Sequence, residues 1–297
     1  MEIIGLDSIV YGVDNLADCI RFNEDFGLER VESGAHGASF RTVDNASVVL
    51  RGKDDRSLPP AVTPGSQLRS VIWGVRSAAA LDAIGAELSK DRAVKQADGT
   101  LWATDPMGYA IGFRVAQVKP LAAEALPVNV PGRPQRINTR YEFNPRPEVL
   151  HLGHVVIHCQ NLEETYAFYR DRLGFKLSDW FPDLGYFLRS ALSHDHHTLF
   201  LFKLGDLTGI NHASYQVRCF DDLAIAGESL EKKGWKSLTG PGRHHIGSNY
   251  FWYFHSPCGG AFEYHADIDY LTDDWVPREW KFVPEVVAAW DRGPGFI

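Results

Sequence analysis

LDSIVYGVDNLADCIRFNEDFGLERV, residues 6–31, and LGHVVIHCQNLEETYAFYRDRLGFKL, residues 152–177, are two versions of one pattern. Each reads strand, turn, helix, glycine, strand, and self-similarity of this kind signals a duplicated unit. In the second copy Asn161 is expected to cap a helix with Glu164 three positions on. Leu162, Tyr166, Tyr169 and Leu173 then fall on one face at helical spacing. Asn15 and Asp18 repeat the cap in the first copy. Working outward, SVIWGVRSAAALDAIGAEL (70–88) aligns without gaps on HASYQVRCFDDLAIAGESL (212–230), and LWATDPMGYAIGF (101–113) aligns on WYFHSPCGGAFEY (252–264). The chain is therefore expected to be two tandem copies of one domain, residues 1–117 and 149–269. A proline-rich linker, 118–148, contains PVNVPGRPQ and NPRP, and a tail follows at 270–297. Strand, helix, strands occurs twice per copy. That order predicts an α+β fold of mixed sheets curved around a cavity, with helices outside.

Composition narrows the function classes. The 297 residues are 44% hydrophobic and 23% charged, an ordinary globular balance, and a net charge of −8 offers no footprint for a polyanion. The opening MEIIGLDSIVYGVDN has no basic start or apolar run, and no stretch approaches about 18 apolar residues. The expectation is a soluble, cytoplasmic protein with neither nucleic acid nor membrane as partner. Cys19, Cys159, Cys219 and Cys258 are too scattered for a disulfide framework or a thiolate zinc site, so they read as reduced, buried thiols.

The histidines are not shared between the copies: of twelve, only His36 lies in the first, and the other eleven fall between His151 and His265. Chemistry is thus expected in the second copy alone. Alternation puts His154, Val156 and His158 on one strand face, and His212, Ser214 and Gln216 on another. Glu263 stands among large apolar residues just after the turn Pro257-Cys258-Gly259-Gly260, and a buried carboxylate needs a partner. Two imidazoles and one carboxylate on one side of a metal leave the other positions open, the arrangement of a ferrous oxygenase, where zinc would more often close a tetrahedron. Projected onto the first copy, His154 falls on Ser8, His212 on Ser70 and Glu263 on Gly112, so all three ligands vanish together.

The stretch running through Gly242-Arg243-His244, Trp252-Tyr253, Pro257-Cys258-Gly259 and Glu263 resembles the signature of the two-domain, type I extradiol dioxygenases of the vicinal oxygen chelate, or glyoxalase-bleomycin resistance, superfamily. The resemblance covers nearly the whole chain. Trp252 and Ser256 depart from the usual residues at their positions without touching a ligand. The resemblance implies two tandem vicinal-oxygen-chelate domains, each of two βαβββ modules, with the N-terminal one metal-free. It implies Fe(II), or alternatively Mn(II), at His154, His212 and Glu263. The implied reaction is ring opening of a catechol-type small molecule by O2, in the breakdown of aromatic compounds. It also implies His197 as acid/base, Tyr253 as hydrogen-bond partner of a substrate oxygen and His244 as a supporting partner. Phe187, on the strand ahead of the His194–His197 segment, reads as a wall of the aromatic pocket. His194 and His196 read as a solvated loop, and His151, His158, His255 and His265 as structural.

Two other functions stay open: another metal-dependent enzyme of the superfamily, glyoxalase-like or hydroxyphenylpyruvate-type, and a metal-free protein that sequesters a ligand. A glyoxalase-like set would add a second carboxylate, and no fourth ligand matches. Members are commonly homo-oligomers. The tail, with Trp275, Trp280 and Trp290, is expected to wrap this domain or a neighbouring subunit.

Overall fold

The computed structural model describes residues 1–121 and 126–295; residues 122–125 of the linker and 296–297 of the tail lie outside the described residues. The first half runs β1 (Ile3–Val13), α1 (Leu16–Asp25), β2 (Glu29–Gly34), β3 (Gly37–Arg41), β4 (Ser47–Gly52), β5 (Gln67–Val75), α2 (Ala78–Leu88), β6 (Lys95–Ala97), β7 (Thr100–Thr104) and β8 (Ala110–Val115). The second half repeats the series as β9 (His151–His158), α3 (Leu162–Ala167), β10 (Lys176–Phe181), β11 (Gly185–Arg189), β12 (Leu199–Phe202), β13 (Gly209–Gln216), α4 (Phe220–Lys232), β14 (Ser237–His244), β15 (Tyr250–His255) and β16 (Ala261–Ala266). The tail adds β17 (Arg278–Glu279), α5 (Pro284–Val287) and β18 (Ala288–Asp291).

The repeat is exact at the level of pairing. The first sheet has the order β2-β3-β4-β1-β5-β8-β7-β6, and the second has the matching order β10-β11-β12-β9-β13-β16-β15-β14 with β17 and β18 added at its two edges. Ser214 pairs with His154 on one side and Glu263 on the other. Ile72 likewise pairs with Ser8 and Gly112. Bulges recur too: the register slips between Leu6 and Ser8 in β1, and between Leu152 and His154 in β9. A bulge lets residues on either side of it face opposite ways without ending the strand. Leu152 therefore joins Val155 and Ile157 in the main apolar core, whereas Val156 belongs to a separate cluster with Phe187 and Phe200 inside the second sheet. His154, one residue before Val155, turns inward with Val156.

One local difference separates the copies. α1 ends at Asp25, two residues before Gly27; α3 continues through a π-helical turn, Phe168–Arg172, before Gly174. The second copy carries one more residue here, and widening a turn absorbs an insertion without rotating the apolar face. Leu162, Tyr166, Tyr169 and Leu173 all stay buried. Asn15 caps α1 as expected, accepting from the Asp18 amide. Asn161 does not cap α3: its amide group donates to the Pro106 carbonyl at 2.9 Å, across to the other half of the molecule.

The halves share a single apolar core. Phe26 stacks on Tyr264 at 4.0 Å, and the Tyr264 hydroxyl donates to the Phe26 carbonyl. The tail lies on its own half rather than apart from it: Arg278 and Glu279 pair with β10, and residues 288–291 pair with β14. Of the four cysteines, all unpaired, Cys219 is partly exposed and the others are buried. Among the described residues no helix is long and apolar enough to cross a membrane.

Candidate metal centre

Three neighbouring strands of the second sheet, β9, β13 and β16, bring His154, His212 and Glu263 together, all buried. His154 Nε2 lies 3.1 Å from Glu263 Oε2, His212 Nε2 lies 3.4 Å from the same oxygen, and the two nitrogens are 3.3 Å apart. The centre of that triangle is about 1.9 Å from each corner, which suits donors that bond a metal at about 2.0–2.2 Å.

Electrostatics favour a cation at that point. His212 Nδ1 lies 2.6 Å from Asn211 Oδ1, which can only accept, so the ring proton sits on Nδ1 and Nε2 presents a lone pair. Asn211 in turn donates from Nδ2 to His158 Nε2 at 3.1 Å, which fixes the amide's orientation. Burial lowers the pKa of His212 to about 4, so the ring stays neutral near pH 7. Burial alone would push the Glu263 carboxyl up. The two imidazoles beside it outweigh that and hold it well below its ordinary value. A carboxylate and two imidazole nitrogens in van der Waals reach need positive charge among them, from a shared proton or from a metal that displaces it. The donor set and its protonation states fit a divalent ion. His154 Nδ1 has no hydrogen-bond partner among the described residues.

Around the triangle stand further polar groups. The His197 ring is 4.1 Å from that of His154, and burial, followed by the neighbouring imidazoles, holds it well below its ordinary pKa as a neutral base. Its Nδ1 is 3.1 Å from Nδ1 of His196, whose Nε2 is 3.2 Å from Asp179 Oδ2. Asp179 also accepts from the Arg278 amide of the tail. His196 is fully buried, which corrects the expectation of a solvated loop: the carboxylate of Asp179 gives the ring a partner inside the protein. His158 is also more than a filler, since it props Asn211. His194 is bonded to the Leu271 carbonyl, and His151 to Asp44 of the first half at 2.5 Å. His265, packed over Gly153, shares a hydrogen bond with Ser214.

Tyr253 pairs with Glu263 across the sheet, and its hydroxyl is 3.0 Å from His244 Nε2. His244 Nδ1 faces the Val287 carbonyl of the tail at 2.8 Å, so it carries the ring proton and Nε2 accepts from Tyr253. Burial and the charge of Glu263 raise the Tyr253 pKa well above 10, keeping the phenol protonated. Asn249, on the approach to β15, donates weakly to Glu263 Oε1 at 3.4 Å. Phe187 lines the same cavity, of about 270 Å³, as His154, His197, His212, His244 and Tyr253. Sequence reading missed Asn211, Asn249, Asp179 and the role of His196. The only signal for Asn211 was its place beside a ligand, and Asp179 joins His196 solely through the pairing of distant strands.

Residues 151–264 match the model of the Glyoxalase/Bleomycin resistance protein/Dioxygenase superfamily. Metapyrocatechase 2 of Cupriavidus necator is 32% identical over 64% of this chain and 59% of its own length. Biphenyl-2,3-diol 1,2-dioxygenase of Paraburkholderia xenovorans (strain LB400) is 31% identical over 46% of this chain and 51% of its own. The chain thus spans between half and three-fifths of the length of these relatives. A crystal structure of a Mn(II)-bound glyoxalase from Novosphingobium aromaticivorans superposes with a TM-score of 0.77 at 25% identity, covering 99% of this chain and 92% of the other.

Proposed function

We propose that this chain, whose C-terminal module belongs to the Glyoxalase/Bleomycin resistance protein/Dioxygenase superfamily, is an extradiol dioxygenase that opens a catechol-type ring with O2. The observation that carries the reading is the facial set of His154, His212 and Glu263, with a neutral imidazole and a protonated phenol lining the same cavity. Metapyrocatechase 2 and biphenyl-2,3-diol 1,2-dioxygenase, both named for oxidations of vicinal diols, point the same way.

A ferrous or manganous ion held by the three ligands would bind both diol oxygens and let electron density pass from ring to O2. The chain's own groups do the rest. His197, kept neutral by burial, is a base placed to take a diol proton and return it to a later oxygen. The Tyr253 hydroxyl donates to His244, itself oriented by Val287, and so presents its oxygen lone pairs to a diol O–H. The apolar walls exclude water from a reactive site. Iron is our assignment, with manganese the alternative; a homo-oligomeric state and a cytoplasmic location complete the reading.

A second reading is favoured by the manganese glyoxalase likeness. Against it, the donor group contains no carboxylate besides Glu263 among the described residues. Anaerobic loading with Fe(II) or Mn(II), then oxygen uptake and visible absorbance with a series of catechols, separates the two. Uptake with a yellow product is the expected result. Metal binding without uptake moves the assignment to an isomerase-like enzyme, and no metal binding moves it to a sequestering protein.

A further inference from the structure

The cavity beside the triangle has a direction. From His154 ring contacts lead outward: to His197 at 4.1 Å, to Phe187 at 5.2 Å, to Phe200 at 3.9 Å, to Phe202 at 5.1 Å, and to Phe282 at 5.6 Å. Phe187 and Phe200 are parallel within 1°. The last ring of this ladder belongs to the tail, whose residues 281–287 cross from β17 on one edge of the sheet to β18 on the other. That crossing contributes Phe282 and Val287 to the cavity wall.

Size and charge then limit what fits. An engineered cavity of about 150 Å³ holds one benzene ring. At about 270 Å³ this one has room beyond a single ring. No Lys, Arg, Asp or Glu lines it among the described residues. A carboxylate on the substrate's far end would be buried without a partner.

We propose that the substrate is a vicinal ring diol bearing an uncharged, apolar substituent of about one further ring, and that Phe282 of the crossing segment selects for it. The inference rests on the dioxygenase reading for the diol end, whereas the apolar end stands on the cavity alone. The test is anaerobic titration calorimetry of the full Fe(II)-loaded chain with three probes, catechol, 3-phenylcatechol and 3,4-dihydroxyphenylacetate, followed by oxygen uptake with each. The phenyl compound is expected to bind about 10-fold more tightly than catechol, since apolar pocket contacts discriminate at that level. The carboxylated compound is expected to bind on the order of 100-fold more weakly than the phenyl compound. F282A should bring the phenyl-to-catechol ratio within about threefold, while F282L, which keeps an apolar side chain for folding, should fall between. Equal or tighter binding of the carboxylated compound, an unaltered ratio in folded F282A, or no binding of any probe would overturn the proposal. Tight phenyl binding without oxygen uptake would leave it standing and remove the dioxygenase reading instead.

Discussion

At matching registers the two sheets hold opposite contents. Where β9, β13 and β16 present His154, His212 and Glu263, the strands β1, β5 and β8 present Ser8, Ser70 and Gly112. Ser8 merely shares a hydrogen bond with Ser47 at 2.8 Å. A Cβ on Gly112 would already stand 3.0 Å from Trp102 and Thr100, and Trp102 occupies the pairing position that Tyr253 has opposite Glu263. The bulged residue before the ligand strand's histidine differs in the same sense: Asn211 orients His212, whereas Arg69 reaches past Gly12 to the carbonyls of Pro59 and Lys53 and ties down a loop. One backbone serves both purposes. What the difference teaches is that the pairing pattern supplies positions, and side-chain volume decides whether those positions enclose space or fill it.

The comparison can be broken most sharply at its centre. His212→Ala should lose stoichiometric metal and essentially all turnover with the fold intact, whereas Ser70→Ala should change neither; elemental analysis with circular dichroism reads both. Equal effects would end the claim that the halves differ in role. One shell out, Asn211→Ala should weaken metal binding by about 10- to 100-fold, measured by competition with a chelator. Arg69→Met should leave metal affinity alone and lower the melting temperature.

Gly112→Glu asks whether the first half can be given back its ligand. The added side chain meets Thr100, Trp102 and Ile72 and buries a charge without imidazole partners, so it should cost about 3 kcal/mol or more in denaturant unfolding and bind no second ion.

The smallest effect lies in the matching turns at Asp105 and Ser256. Burial raises Asp105 to a pKa of about 6, offset in part by the amides of Tyr109 and Met107 and the Tyr169 hydroxyl. The folded state therefore holds more protons than the unfolded chain between about pH 4 and 6. The resulting stability is complete below about pH 4 and is lost as pH rises through 6, at most about 3 kcal/mol. Melting curves from pH 4 to 8 should show this slope in the native chain and not in Asp105→Asn. A matching slope change on Ser256→Ala would mean the assignment to Asp105 is wrong.

The repeat and the three-residue cluster were legible because the patterns that point to them are short-range. A strand's alternation and a helix's period survive in any window that contains them, and Ser8, Ser70 and Gly112 could be matched to their counterparts by alignment alone. His196 was misread because a run of His194-Asp195-His196-His197 looks solvated until Asp179, from another strand, arrives beside it. The same holds for Asn161, which spends its amide on Pro106 of the other half rather than on its own helix. The tail hid its place for a different reason: β17 has two residues and β18 four, too short for any period to show.

That tail has a bearing on how copies of the molecule meet. An open sheet edge invites strand addition from another chain, and natural proteins shorten, charge or cover such edges. By lying against both β10 and β14, the tail replaces two long edges of the second sheet with strands of two and four residues. Among the described residues the first sheet has no such cover and uses chemistry instead: its edge strand β2, exposed along its length, carries Glu29, Arg30 and Glu32, and its other edge, β6, is three residues opening on Lys95. The segment that walls the cavity thus also guards against runaway β-association.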